Sequence, residues 1–227
     1  MFFLLMPNLH IITGLLILLN IIVSFKGFND FIFFNKYKFQ VGAIQRGQIA
    51  RVITSGFLHI DIRHLIFDCF VLYYISDVVI INFGNLGFFL TYFLSSIVGG
   101  VITLNYKKKD FQYSSVGSGT SICGILFSNI LINFNQTFEL ILFKIDIPLY
   151  FLGIIFMIYT LYGAYKDRLN STSGDRHAFI GNFGGIITGL ILAIIFKPKL
   201  IYELPILLLL LFIFIIFVFL FFQKKKD

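Results

Sequence analysis

The chain has 227 residues, 58% of them hydrophobic and only 13% charged, with a mean hydropathy of +0.92. Soluble domains carry about a quarter charged residues, so this chain lacks the polar surface to coat a water-soluble globule. A secreted disulfide scaffold, a disordered tail and an ordinary cytosolic enzyme are excluded, which leaves a polytopic membrane protein. The net charge of +7 comes from Lys and Arg that flank apolar runs, as membrane-flanking cations do. It does not point to nucleic acid.

A spanning helix needs about 20 apolar residues, and seven segments qualify. The first covers about 9–25. No Lys or Arg precedes Lys26, so it reads as a retained anchor helix rather than a cleaved signal peptide. A long connection, 26–59, follows. Its stretch FNDFIFFNKYKF is too short and too charged to span, and fits the membrane interface. The second and third helices cover 61–82 and 86–104. The loop NYKKKDFQY leads to the fourth, 114–134. The fifth covers 145–165 and the sixth 178–196. The seventh, 204–222, is apolar on every face and ends in QKKKD. The expected fold is an all-α polytopic membrane helix bundle, integral and multi-pass. Its main domain covers 1–200, and an additional C-terminal helix with a basic tail covers 201–227.

Helices four and six are rich in small residues: Gly117, Gly119 and Gly124, then Gly181, Gly184, Gly185 and Gly189. Small residues let backbones approach closely where water supplies no driving force, so these two helices are the expected centre of the bundle. Cys69 and Cys123 lie in apolar runs without metal spacing and read as small buried residues. The chain carries no nucleotide or metal motif, and no cofactor is expected.

Ionisable groups inside a membrane are expensive and face the bundle interior. Helix two holds Asp61, Arg63, His64, Asp68 and Asp77. His64 and Asp68 are four apart, share a face and can pair. Asp61 and Arg63 fall at the water boundary, and His59 reads as an interface residue. The stretch SSVGSGTSICG offers Ser115, Ser118 and Ser121 where a glycine-flanked loop enters helix four. A serine nucleophile needs a base in reach, and the histidines available are His10, His59, His64 and His177.

The order of these motifs resembles the rhomboid family of intramembrane serine proteases. RVITSGFLHIDIRHLIFD is similar to the family's Arg-containing end of the first loop, its Phe-Leu-His and its His-Leu-x-x-Asn pattern on helix two. SSVGSGTSICG resembles the Gly-x-Ser-Gly stretch that opens helix four. GNFGGIITG resembles the Ala-His-x-Gly-Gly-x-x-x-Gly stretch of helix six. The resemblance spans about 49–200. It implies a six-helix core, here followed by a seventh helix, and a Ser-His dyad split between helices four and six.

Ungapped matching puts Gly119 at the nucleophile's position and Asn182 at the histidine's. Asp68 falls where the family has the Asn that helps bind the oxyanion, and His64 matches. Glycine has no oxygen to attack a carbonyl. Asparagine cannot act as a general base near neutral pH. An ionised Asp68 repels an oxyanion. A slip of one residue makes Ser118 the alternative nucleophile, with Ser121 a weaker choice, but leaves no histidine at 182. His177 lies about 7.5 Å earlier along the axis, at the solvated helix mouth.

The leading reading is therefore a rhomboid-like pseudoprotease that binds transmembrane segments of other proteins within the lipid bilayer. The first alternative is an active intramembrane serine endopeptidase using Ser118. The second is a small transporter, motivated by His64, Asp68 and Asp77 in one span. Orientation has two opposed readings. Of the 18 Lys and Arg residues, all but Lys144, Lys197 and Lys199 fall on the side of the first connection. The positive-inside rule puts that side in the cytoplasm, and the family resemblance implies the opposite side.

Overall fold

The computed structural model of the chain describes residues 10–134, 137–140, 145–169 and 175–203. The expected seventh helix, and with it nearly all of 201–227, lies outside the described residues.

Helix α1 (Ile11–Asn29) shows the inside-out pattern of a membrane helix. Its buried residues Thr13, Leu16, Asn20, Ser24 and Gly27 are three or four apart and line one face, whereas Ile11, Leu15, Leu18 and Ile22 are exposed. The polar stripe faces protein, where its hydrogen bonds can be met, and the apolar stripe faces lipid. Asn20 Nδ2 donates to Leu16 O at 2.8 Å and to Tyr92 Oη at 3.3 Å.

The first connection is built from short pieces. They are α2 (Phe31–Tyr37), β1 (Phe39–Gln40), α3 (Val41–Gln45), α4 (Arg51–Thr54) and a 3₁₀ turn, Ser55–Phe57. Asp30 caps α2 by accepting from Phe33 N at 2.9 Å, and Phe31 and Ile32 are about four-fifths exposed, at 79% and 80%. An apolar edge of this kind on a helix too short to span suits the membrane interface. Arg51 organises the connection from within. Its Nη1 donates to Asn35 O at 2.8 Å and to Lys38 O at 3.0 Å, and its Nε to Gln48 Oε1 at 2.7 Å.

The second and third expected helices form one element, α5 (Ile62–Tyr106), interrupted at Gly84 with φ 72° and ψ 174°. Left-handed φ favours glycine, so the break falls where the sequence allows it. Each arm is about 22 residues, or about 33 Å, enough to cross a bilayer. Both outer ends of α5 reach the same end of the bundle. His64 lies against Gly117, and Gln45 Nε2 donates to Lys108 O just past Tyr106. The two arms therefore run in opposite directions.

The expected fourth helix starts later than its sequence suggests. Ser114–Val116 is a strand, β2, and α6 runs Gly119–Ile132. Every residue of α6 from Thr120 to Leu131 is buried, so α6 is the centre of the bundle. The expected fifth helix likewise begins at Leu149, because Ile145–Pro148 (β4) pairs antiparallel with Thr137–Leu140 (β3). It continues as α7 (Leu149–Leu169). Strand β5 (Asp175–His177) precedes α8 (Phe179–Phe196), and a short α9 (Leu200–Glu203) follows.

Strand β2 lies between β1 and β5. It pairs antiparallel with β1 and parallel with β5, placing Val116 opposite His177. This small sheet draws the first connection and the mouths of α6 and α8 to one end. Below it, α6 and α8 pack backbone to backbone. A Cβ at Gly185 would overlap Thr120 O, and one at Gly189 would overlap Gly124 O. Ser128 Oγ donates to Gly189 O at 2.8 Å across the same seam. Among the described residues, four helices are long and apolar enough to cross a membrane, α5 with its two arms being one of them, and the exposed faces of α1 and α7 are the lipid-facing surface. The protein is an all-α, multi-pass integral membrane bundle.

Candidate active-site cleft

A cleft opens where the first arm of α5 meets α6, α7 and α8 near the sheet. His64, Asp68, Gly119, Tyr159, His177 and Asn182 all line it. Gly119 is the first residue of α6 and faces Asn182 in the first turn of α8. A Cβ at Gly119 would lie 3.5 Å from Asn182 Oδ1 and 3.9 Å from its Nδ2. The Asn182 amide is tied on both sides. Thr120 Oγ1 donates to Oδ1 at 3.3 Å, and Nδ2 donates to Thr160 Oγ1 on α7 at 3.4 Å. Asn182 thus links α6, α7 and α8.

Ser118 does not line this cleft. It is 2% exposed, and its hydroxyl donates to Asp68 Oδ2 at 2.7 Å. His59, expected at the interface, is 0% exposed. Its Nε2 lies 3.2 Å from Asp68 Oδ2 and 3.3 Å from Ser118 Oγ. Its Nδ1 lies 2.8 Å from Ser24 Oγ on α1, and Ser24 donates to Phe57 O at 2.9 Å. The 3₁₀ turn explains the correction. It carries His59 back under the loop, outside any helical periodicity that a sequence displays.

His64 pairs with Asp68 as its spacing suggests, at 3.6 Å. Its helix begins with Asp61, which accepts from His64 N at 2.8 Å, and that bond holds the exposed Asp61 carboxyl below its ordinary pKa. The His64 ring lies on Gly117, whose φ is +120° and where a Cβ would come within 2.6 Å of Cε1. Glycine is required there twice, by conformation and by space. His177, expected to be solvated, is half-buried, with Nδ1 3.3 Å from His64 Nε2. Burial pushes its pKa down, against the pull of Asp68. Asp77 stands apart from this group and pairs with His10 at 2.8 Å.

The Rhomboid domain family matches residues 46–199. The chain belongs to the rhomboid family. A rhomboid relative from Toxoplasma gondii, Rhomboid-like protease 3, is 34% identical over 84 residues, covering 37% of this chain and 31% of the relative. RHOMBOID-like protein 12, mitochondrial, from Arabidopsis thaliana is 25% identical over 184 residues, covering 74% of this chain and 52% of the relative. The chain thus spans about a third and about half of the length of these two rhomboid relatives. The matched region holds the cleft, both α5 arms, α6, α7 and α8.

The sequence singled out Gly119, Asn182, Ser118, His64 and Asp68. Four of them line the cleft and Ser118 sits behind it. Ser24, Thr120 and Thr160 were not singled out, and His59 was read as an interface residue. Thr120 carried a usable signal, one turn before Gly124 on the small-residue face. Ser24 and Thr160 carried none, because their partners lie on distant helices.

Proposed function

We propose that this rhomboid-family protein is a non-catalytic member that binds transmembrane segments of other membrane proteins at the cleft. One observation carries the reading. The two residues that face each other across the cleft, Gly119 and Asn182, offer neither a nucleophile nor a base. The Asn182 amide is engaged with Thr120 and Thr160, a tethering role that needs no proton transfer. Asp68 lines the same cleft, and its charge opposes the oxyanion of acyl transfer.

The test is twofold. The detergent-purified chain should stay unlabelled by a fluorophosphonate probe. It should bind a fluorescent transmembrane peptide in nanodiscs, and Gly119→Leu, which fills the cleft, should weaken that binding. Loss of binding in the wild type would end the proposal.

A second reading rests on a specific contact. Ser118 lies within hydrogen-bond reach of both His59 and Asp68, the components of a serine nucleophile with a base. Burial of the hydroxyl and its position off the cleft count against it. Fluorophosphonate labelling that disappears in Ser118→Ala would establish this reading instead.

A further inference from the structure

Hydrogen-bond bookkeeping around His59 leaves one gap. Ser24 has one hydroxyl proton and donates it to Phe57 O, so its oxygen accepts Nδ1–H of His59. Ser118 donates its own proton to Asp68 Oδ2. His59 Nε2 therefore faces two oxygens at 3.2 and 3.3 Å, a carboxylate and a hydroxyl whose proton is already used. Either a proton or a metal ion between the imidazole and the carboxylate closes this gap.

A second imidazole, His64, converges on the same carboxylate, and His177 lies behind it. The donor atoms of His59, His64 and Asp68 all lie within 4.8 Å of one another. His64 Nε2 is 3.6 Å from Asp68 Oδ2, and His177 Nδ1 is 3.3 Å from His64 Nε2. A proton serves one of these pairs. A metal ion serves them together. Zinc–ligand bonds of about 2.0–2.2 Å set neighbouring donors of a tetrahedron about 3.3–3.6 Å apart. Within the set, His59–Asp68 at 3.2 Å and His64–Asp68 at 3.6 Å lie close to that edge, and the remaining pair is within 4.8 Å, so a small turn of the His64 ring completes the site.

We propose that His59, His64 and Asp68 form a binding site for a divalent first-row cation of zinc type, with the fourth position open toward His177 and the cleft. The donor set, two imidazoles and a carboxylate, suits zinc. Ser24 supplies the outer contact that orients a metal-binding histidine, fixing which nitrogen of His59 points inward. Asp68 and His64 line the cleft, which gives the ion a route in. No contiguous motif announces the site, because one ligand comes from the buried turn before α5 and two from its first turns. A metal-bound His59 Nε2 cannot also take a proton from Ser118, so the proposal and the Ser118 protease reading exclude each other.

The experiment uses the full chain in detergent. Apo protein is loaded with Zn²⁺, desalted, and its metal content measured by mass spectrometry, and Co²⁺ loading is followed by visible absorption. About one metal per chain and a tetrahedral cobalt spectrum are expected. Asp68→Asn, which keeps the shape, and His59→Gln should each weaken zinc binding by about 100-fold or more. His10→Ala, which touches only the separate Asp77 pair, should leave it unchanged. Circular dichroism confirms that each variant is folded. If the wild type holds no zinc and gives no tetrahedral cobalt spectrum, a proton fills the gap and the proposal fails. It also fails if folded Asp68→Asn binds zinc as tightly as the wild type.

Discussion

Gly119 faces Asn182 across the cleft, and a Cβ on Gly119 would rest 3.5 Å from the Asn182 carbonyl oxygen. That is an ordinary van der Waals contact, so a larger residue fits there without displacing the neighbouring helix. Gly119→Ser combined with Asn182→His should therefore fold, and should acquire fluorophosphonate labelling that neither single variant shows. Adding Asp68→Asn replaces a repelling charge with a donor. It should speed labelling by about 10²–10³-fold, the worth of one oxyanion contact.

The α6–α8 seam sets the tolerance for size. At Gly189 a methyl group would overlap Gly124 O, and backbone cannot step aside as a flexible side chain can. Gly189→Ala should lower stability by about 1–3 kcal/mol, although alanine is the better helix former by about 1 kcal/mol. Thermal unfolding in detergent, followed by circular dichroism, measures this. Gly56→Ala, where the new methyl would sit 3.5 Å from Ser96 Oγ, should cost far less.

Arg51 holds two carbonyls of the first connection with one nitrogen. A lysine ammonium lacks the planar fork that also reaches Gln48. Arg51→Lys should make the 26–59 connection more sensitive to chymotrypsin, with Arg46→Lys, at an exposed position, as the unaffected control.

His177 lies outside the spanning segments, and burial keeps its folded pKa below the ordinary value. The unfolded group titrates near 6.5, so the unfolded chain binds the proton first as pH falls. Stability from neutral His177 is complete above about pH 6.5 and is lost as pH drops toward the folded pKa. His177→Gln should flatten that acid-side slope in thermal melts between about pH 7 and 5.

The charge asymmetry predicts the side on which the cleft opens. In a Cys69→Ser, Cys123→Ala background, a cysteine at the exposed Gln48 should react with an impermeant maleimide only after the membrane is permeabilised. Labelling of intact cells would favour the family's opposite orientation.

The spans were legible because lipid demands long apolar runs, and the glycines of α6 and α8 marked the packed seam by composition alone. The beginnings of α6 and α7 were not legible. Ser114–Val116 and Ile145–Pro148 adjoin apolar runs and read as their first turns, but pairing makes them extended, the first with the distant strand Asp175–His177 and the second with its neighbour Thr137–Leu140. The Gly119–Asn182 opposition followed from matched motifs. The His59 cluster did not, because its burial depends on a 3₁₀ turn and on Ser24, 35 residues earlier on α1.

The parallel pairing of Val116 with His177 ties the starts of two helices together through main-chain amides. Those bonds do not depend on the side chains that line the cleft. The width of the gap between residues 119 and 182 is therefore set by main-chain pairing and not by which side chains stand there.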